Sequence, residues 1–183
     1  MRKINEHRRF DRGERSTKIY TLCGPIRVDG VLADFSGFCE MRFGIRPEDG
    51  DKDKVVKKVF WKQVANWCNQ GNELFSALSP MPDAIELWNY IKGYDPRILS
   101  ATGSTKNAAE EKRVWVRKYL GQDIGNKALL VKAAADKAKY ATPNSILIDD
   151  RAVSIDPWTA AGGIGILHTS AANTIAQLKK LGL

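Results

Sequence analysis

Acidic, hydroxyl and lysine side chains follow several short apolar runs of this sequence, and as a set they could perform phosphoryl-transfer chemistry. In chain order they are Asp29 and Asp34, Ser100 and Thr102, Lys137, and Asp149 and Asp150. In open α/β sheets, ligands lie outside the carboxyl ends of the strands. Carboxylates from two strands could hold Mg²⁺, while a hydroxyl, backbone N–H groups and an ammonium form a phosphate cradle. Positioning and charge neutralisation supply most of the rate of phosphoryl transfer.

The pair Asp149-Asp150 is the most specific of these signals. It ends the apolar run 146–150, and two adjacent carboxylates at the end of a buried strand are costly without a cation. Asp29-Gly30 follows a shorter apolar stretch and predicts a tight loop, because glycine tolerates sharp turns. A lysine such as Lys137 carries little information by itself, since most lysines are solvated surface residues.

Strands that alternate with helices must position these residues. Apolar runs predict strands at 97–103, 128–132, 146–150 and 162–168, besides the stretch that begins at 25 and an alternating run at 17–23. Helical patterns lie between them, at 54–68, from 84, and at 104–120, and residues 47–53 are expected to form an exposed turn. The alternation predicts an α/β fold with a mostly parallel sheet and helices on both faces.

The domain organisation follows from the same pattern. We predict a basic N-terminal arm at 1–18 and a core formed by 19–35 and 93–183. A small helical cap at 36–92 is expected to be inserted after the first site strand. The arm has seven Lys or Arg against three Asp or Glu, so half of the net charge of +8 lies there. Such an arm is typical of a solvated terminus, and the alternative is contact with nucleic acid or an acidic partner.

Composition excludes several other classes. The three cysteines lack CxxC spacing and the chain has two histidines, which argues against disulfide frameworks, zinc sites and histidine-based triads. The sequence has neither a signal-peptide pattern nor an apolar run of membrane-spanning length, so a cytoplasmic location without membrane contact is expected.

Four segments resemble the motifs of the haloacid dehalogenase (HAD) superfamily, in particular its 5′(3′)-nucleotidase-like branch, which is common in phages and bacteria. They are Val28–Phe35, Ile98–Gly103, Asp136–Ala141 and Ile146–Arg151, and the similarity extends from about Ile26 to Leu183. The resemblance implies a Rossmann-like core, a small helical cap after the first motif, Mg²⁺ dependence and phosphomonoester substrates, most simply nucleotides. A phage protein of this kind would act in the host cytoplasm.

The resemblance also implies residue roles. Asp29 would be the general acid/base, Lys137 would neutralise the phosphate, and Asp29, Asp149 and Asp150 would hold the metal. The phosphate-binding residues would be Gly30, Ser100, Ala101 and Lys137.

Arg27 departs from the family pattern, because the nucleophilic aspartate is expected two residues before Asp29. A guanidinium stays protonated and has no lone pair with which to form an acyl phosphate. In one interpretation Arg27 replaces the cation by pairing with Asp149 or Asp150, or binds the phosphate directly. In the other, the register is misread, Asp34 acts instead, or water attacks with Asp29 as base.

Three functions therefore remain open at this point. The first is a phosphatase or 5′-nucleotidase whose catalysis is impaired by Arg27. The second is a catalytically silent protein, a pseudoenzyme, that binds a nucleotide or regulates a partner. The third is a phosphatase or binder of nucleic-acid ends that uses the basic arm at 1–18.

Overall fold

A parallel five-stranded sheet forms the centre of the molecule, whose computed structural model describes residues 24–183. The strands are β1 (Pro25–Ile26), β2 (Arg97–Ala101), β3 (Leu129–Val131), β4 (Ile146–Asp149) and β5 (Ile164–Leu167), in the order β3-β2-β1-β4-β5. The chain first builds outward from β1 to β3 and then returns to the other side of β1. The order reverses between β1 and β4, which is where open α/β sheets bind ligands.

Helices surround this sheet, and the predicted Rossmann-like α/β fold is confirmed. They are α1 (Phe35–Phe43), α2 (Pro47–Lys52), α3 (Lys54–Asn69), α4 (Ala84–Ile91), α5 (Ala108–Leu120), α6 (Gln122–Asn126), α7 (Ala152–Ala160) and α8 (Ala171–Lys180), with 3₁₀ turns at Lys92–Tyr94 and Ala134–Tyr140. Within residues 24–183, none of the helices combines the length and the apolar character needed to cross a membrane.

Apolar side chains cover both faces of the sheet. Successive residues of a strand point to opposite faces, so Ile98 and Leu99 of β2 belong to two different buried clusters. The smaller cluster holds Leu99 and Leu147 against Trp158 of α7. The larger one packs the other face against α4, α5 and α8, where Trp115 is fully buried. The sheet is therefore fixed on both sides, and its strand ends are held firmly in place.

The chain leaves and re-enters the core through a narrow neck. Ala33 and Pro80 form an antiparallel bridge, the Asp34 N–H donates to the Ser79 carbonyl, and the Met81 N–H donates to the Leu32 carbonyl. Helices α1, α2 and α3 lie between these crossings. Helix α4 follows the neck and packs on α8 of the core. The range predicted as a cap, 36–92, nevertheless includes α4. The division of the chain into an arm, a core and a cap stays a prediction.

Two predicted elements differ from the structure. Residues 47–52 form α2 instead of a turn, because Pro47 starts the helix and Glu48 and Asp49 favour its positive N-terminal end. Helix α5 begins at Ala108 and not at 104, since Asn107 adopts a left-handed conformation with φ of 60°. The predicted strand at 17–23 and the basic arm at 1–18 lie outside the described residues.

Candidate phosphate site

The loop after β1 brings Asp29 to the carboxyl edge of the sheet. The Val28 carbonyl accepts from the Leu32 and Ala33 N–H groups, and this closes the turn. Gly30 has φ of 77°, and a Cβ there would collide with the Asp150 carboxylate, so glycine is required on both counts. The same close approach places the loop directly beside the end of β4.

Arg27 lies between the two carboxylates that end β4. Its backbone N–H donates to the Ile148 carbonyl, which fixes it at the strand edge. Its Nη1 lies 3.2 Å from Asp149 Oδ1 and 2.8 Å from Asp150 Oδ1, and its side chain is 14% exposed. The second contact is an ion pair without good hydrogen-bond geometry. Burial lowers the pKa of Arg27, but Asp150 and Asp149 outweigh it and raise that pKa above its ordinary value.

Asp149 is fully buried and is surrounded by positive groups. It forms an ion pair with Lys137, accepts from Arg27, and accepts from the Arg151 backbone N–H at 3.0 Å. Although burial opposes ionisation, Lys137 and Arg27 hold the pKa of Asp149 below its usual range. Asp149 is therefore a buried anion whose partners compensate its desolvation.

Asp150 behaves differently from its neighbour. Burial raises its pKa to about 6, with Asp149 adding to the shift and Arg27 opposing it. Adjacent carboxylates repel each other, so one ionises less readily than the other. The pKa of Asp150 therefore lies in the mildly acidic range.

Lys112 is a site residue that the sequence analysis missed. It reaches the site from α5, forms an ion pair with Asp29 Oδ2, and donates to Ser100 Oγ at 3.2 Å. Burial lowers the pKa of Lys112, while the Asp29 charge opposes the shift. Its ammonium lies 4.1 Å from the centre of the Phe75 ring, and Phe75 in turn stacks on Phe35.

A signal for Lys112 was present in the sequence. Ala108, Lys112, Trp115 and Val116 have helical spacing and all lie on the buried face of α5. A lysine on an otherwise apolar stripe needs a carboxylate partner, and this would have marked Lys112 as unusual.

Charges within this cluster balance without any added ion. In the part of the chain that the structure describes, the cations are Arg27, Lys112 and Lys137, and the anions are Asp29, Asp149 and Asp150. Buried charges are tolerated when they are paired, and these six charges compensate one another.

The arrangement does not fit Mg²⁺, the cofactor that the resemblance implies. Four carboxylate oxygens already contact cationic nitrogens: Asp29 Oδ2, both oxygens of Asp149, and Asp150 Oδ1. Among the described residues, two carboxylate oxygens remain: Asp29 Oδ1, which is buried without a hydrogen-bond partner, and Asp150 Oδ2, which contacts no cation. Mg²⁺ is commonly bound through one or two carboxylates, but both of these side chains are already paired with Lys112 or Arg27, so the metal would face a second positive charge. Within residues 24–183, no group of three carboxylate, thiol or imidazole side chains is placed to hold a metal ion.

A cavity of about 940 Å³ opens above this cluster. Its floor includes Arg27, Asp29, Lys112, Lys137 and Asp150, and its walls include Trp61 from α3 and the loop 101–105 after β2. Ser100 and Asp149 are completely buried beneath the floor. The cavity has the size of a small-molecule site.

An exposed ion pair links the two sides of the cavity mouth. Asp51 of α2 contacts Arg151, at the start of α7, at 3.3 Å, and Lys57 at 3.4 Å. All three side chains are about half exposed, so this contact contributes little to stability.

Most predicted site residues meet at this cavity. Gly30 and Ala101 line it. The Gly30 N–H donates to the Ala33 carbonyl, so Gly30 contributes space to the cavity and not a hydrogen-bond donor. Asp34 instead caps α1, where its Oδ1 accepts from the Gly37 N–H at 2.8 Å. This cap role gives no support to Asp34 as a replacement nucleophile. The Thr102 hydroxyl donates to the Val131 carbonyl at 3.3 Å and joins β2 to β3.

Comparison with known proteins found solved structures of similar fold. No protein-family model matches the chain, and no curated protein matches it. Among solved structures, the chain is similar to a hydrolase from Streptococcus pneumoniae TIGR4, with 16% identity and a TM-score of 0.46. The similarity covers 84% of this chain and 96% of the other. A likeness this distant leaves the function to be inferred from the site itself.

Proposed function

We propose that this protein binds a phosphomonoester, most simply a nucleotide, at the carboxyl edge of the sheet without Mg²⁺, and that it hydrolyses the ligand very slowly or not at all. The observation that carries the proposal is the position of Arg27. Its guanidinium contacts both Asp149 and Asp150, in the place where a cation would be needed between these carboxylates.

The phosphate would be held by the positive side chains of the cavity floor. Lys137, Lys112 and Arg27 all line the cavity, and charge-assisted hydrogen bonds from such groups are the strong ones. A phosphate dianion adds negative charge to a cluster that is already neutral. Asp150, with a pKa of about 6, can take up a proton and so offset part of that charge.

Catalysis is expected to suffer for a chemical reason. Covalent phosphoryl transfer needs a nucleophile with a free lone pair, and the guanidinium of Arg27 has none at any ordinary pH. Removing a catalytic nucleophile typically lowers the rate by several orders of magnitude. Turnover in the way the resemblance implies is therefore not expected.

A second candidate function is slow hydrolysis in which Asp29 activates a water molecule. It is favoured by Asp29 Oδ1, which has no hydrogen-bond partner among the described residues and is buried in a side chain that lines the cavity. The proton of the attacking water would pass to this oxygen as a bond forms between the water oxygen and phosphorus. The bond between phosphorus and the ester oxygen would break, and the leaving alkoxide would take up the proton from Asp29, giving an alcohol and inorganic phosphate.

The test is calorimetric titration with inorganic phosphate and nucleoside monophosphates, with EDTA or with Mg²⁺, beside a nitrophenyl-phosphate assay. The wild-type protein should bind equally well under both conditions. Arg27→Asp should bind only with Mg²⁺ and should gain hydrolysis. Arg97→Asp makes the same charge change at the exposed first residue of β2, at the edge of the sheet opposite the site, and should behave as the wild type.

Two results would count against the proposal. Binding by the wild type that requires Mg²⁺ would show that Arg27 does not replace the cation. Absence of phosphate and nucleotide binding under either condition would remove the proposed ligand class. Hydrolysis by the wild type that disappears in Asp29→Asn, while binding persists, would favour the second candidate.

A further inference from the structure

A second cavity adjoins the first, on the other side of Trp61. Its volume is about 530 Å³, and it lies between α3 and the loop 103–106. It shares Trp61, Gly103 and Thr105 with the larger cavity. A ligand anchored in the first cavity can therefore extend into the second past a single indole ring.

The lining of the second cavity suits a nucleobase. Val64, Ala65 and Cys68 of α3 supply an apolar wall, and Asn69 offers both a hydrogen-bond donor and an acceptor. Trp61 is 40% exposed and lines both cavities, so part of its ring is open to a ligand. Bases stack on exposed aromatic rings regardless of sequence, because every base has a flat π face.

Positive side chains flank the path between the two cavities. Lys132 lines the first cavity, Lys106 lines the second, and both are exposed. Lysines at these positions can contact a phosphodiester that joins two nucleotide units. The charge is thus complementary to a chain of nucleotides and not only to a terminal phosphate.

We propose that the second cavity binds the second nucleotide unit of a phosphate-terminated dinucleotide or longer single strand. The terminal phosphate occupies the cluster at Arg27, the linking phosphodiester passes Lys132 and Lys106, and the second base enters the cavity beside Trp61. This inference rests on the proposed function, since it needs the terminal phosphate in the first cavity. It identifies the ligand as a nucleic-acid end.

The experiment compares inorganic phosphate, thymidine 5′-monophosphate, and thymidine dinucleotides phosphorylated at the 5′ or the 3′ end, all without metal. At least one dinucleotide should bind about tenfold more tightly than the mononucleotide, as one stacked base would give. Ala65→Trp fills the second cavity and should abolish this difference. Gln63→Trp adds the same ring at an exposed position of α3 outside both cavities and should keep it.

The outcomes separate the two proposals. If phosphate and the mononucleotide bind but neither dinucleotide binds more tightly, the second unit has no site and the inference is overturned. The same holds if Ala65→Trp, with a melting temperature like that of the wild type, retains the difference. If inorganic phosphate and all nucleotides fail to bind, the proposed function fails first. The better of the two dinucleotides identifies the end that is recognised.

Discussion

Lys112 and Asp29 form a pair in which each residue depends on the other. Both side chains are almost completely buried, and each supplies the opposite charge that the other needs. Removing one partner of such a pair leaves an uncompensated charge, whereas removing both leaves the other charges of the cluster in balance. The pair therefore couples the geometry of the phosphate site to the stability of the whole core.

Lys112→Met should lower the free energy of unfolding by about 3–5 kcal/mol, because Asp29 loses its buried cation. Urea denaturation would measure the change. Lys118→Met, at an exposed position of the same helix, should change it by less than about 0.5 kcal/mol. The double variant Lys112→Met/Asp29→Leu should recover part of the loss. Equal effects of Lys112→Met and Lys118→Met would contradict the pairing.

Sulfate binding should strengthen as the pH falls from about 7 to about 5. Sulfate remains a dianion throughout this range, while Asp150, with a pKa of about 6, takes up a proton and loses its negative charge. Repulsion between the site and the anion then decreases. Calorimetric titration across the range would show the trend, and Asp150→Asn should flatten it. An affinity that does not change with pH in the wild type would contradict the role of Asp150.

At the scale of elements, α5 positions two parts of the site together. Lys112 points to Asp29, and the preceding Glu111 accepts from the backbone N–H groups of Leu74 and Phe75 at 2.8 and 2.7 Å. These N–H groups belong to the segment that returns from α3 to the neck. One turn of α5 thus fixes the position of the Lys112–Asp29 pair relative to the segment that carries Phe75.

Glu111→Ala should lower the free energy of unfolding by about 2–3 kcal/mol, because two backbone donors lose a charged acceptor. Glu110→Ala is the matched control. Glu110 pairs with Arg117 on the exposed surface, and its loss should cost less than about 1 kcal/mol. Chemical denaturation measures both. A loss of equal size in both variants would show that Glu111 contributes no more than a surface ion pair does.

Elements governed by local signals were predictable from the sequence. Asp83 precedes α4 and Ser170 caps α8, where its hydroxyl accepts from the Asn173 N–H at 3.2 Å. The turn assigned to 47–53 was wrong because the cluster of Asp and Gly there also suits a short helix that begins with proline. Short polar segments give little periodicity, so the helix and the turn have nearly the same signature.

At the scale of the whole molecule, the fold was predictable from the sequence. The ion pairs between side chains of the site were predictable only in part. Alternating strands and helices determine the parallel sheet, and strand ends bring Asp29, Ser100 and Asp149 to one edge. Which cation meets which carboxylate depends on side chains that pack across 83 residues of chain, as for Lys112 and Asp29. No local pattern encodes such a pairing, although the buried stripe of α5 hints at it.

Arg27 also has a consequence for how the site responds to its surroundings. A bound metal ion exchanges with solution, and its occupancy follows the concentration of free ions. A guanidinium is attached to the chain, is present once in every molecule, and keeps its charge at all physiological pH values. The positive charge between Asp149 and Asp150 is therefore set when the protein is synthesised, and neither chelators nor ion shortage can remove it.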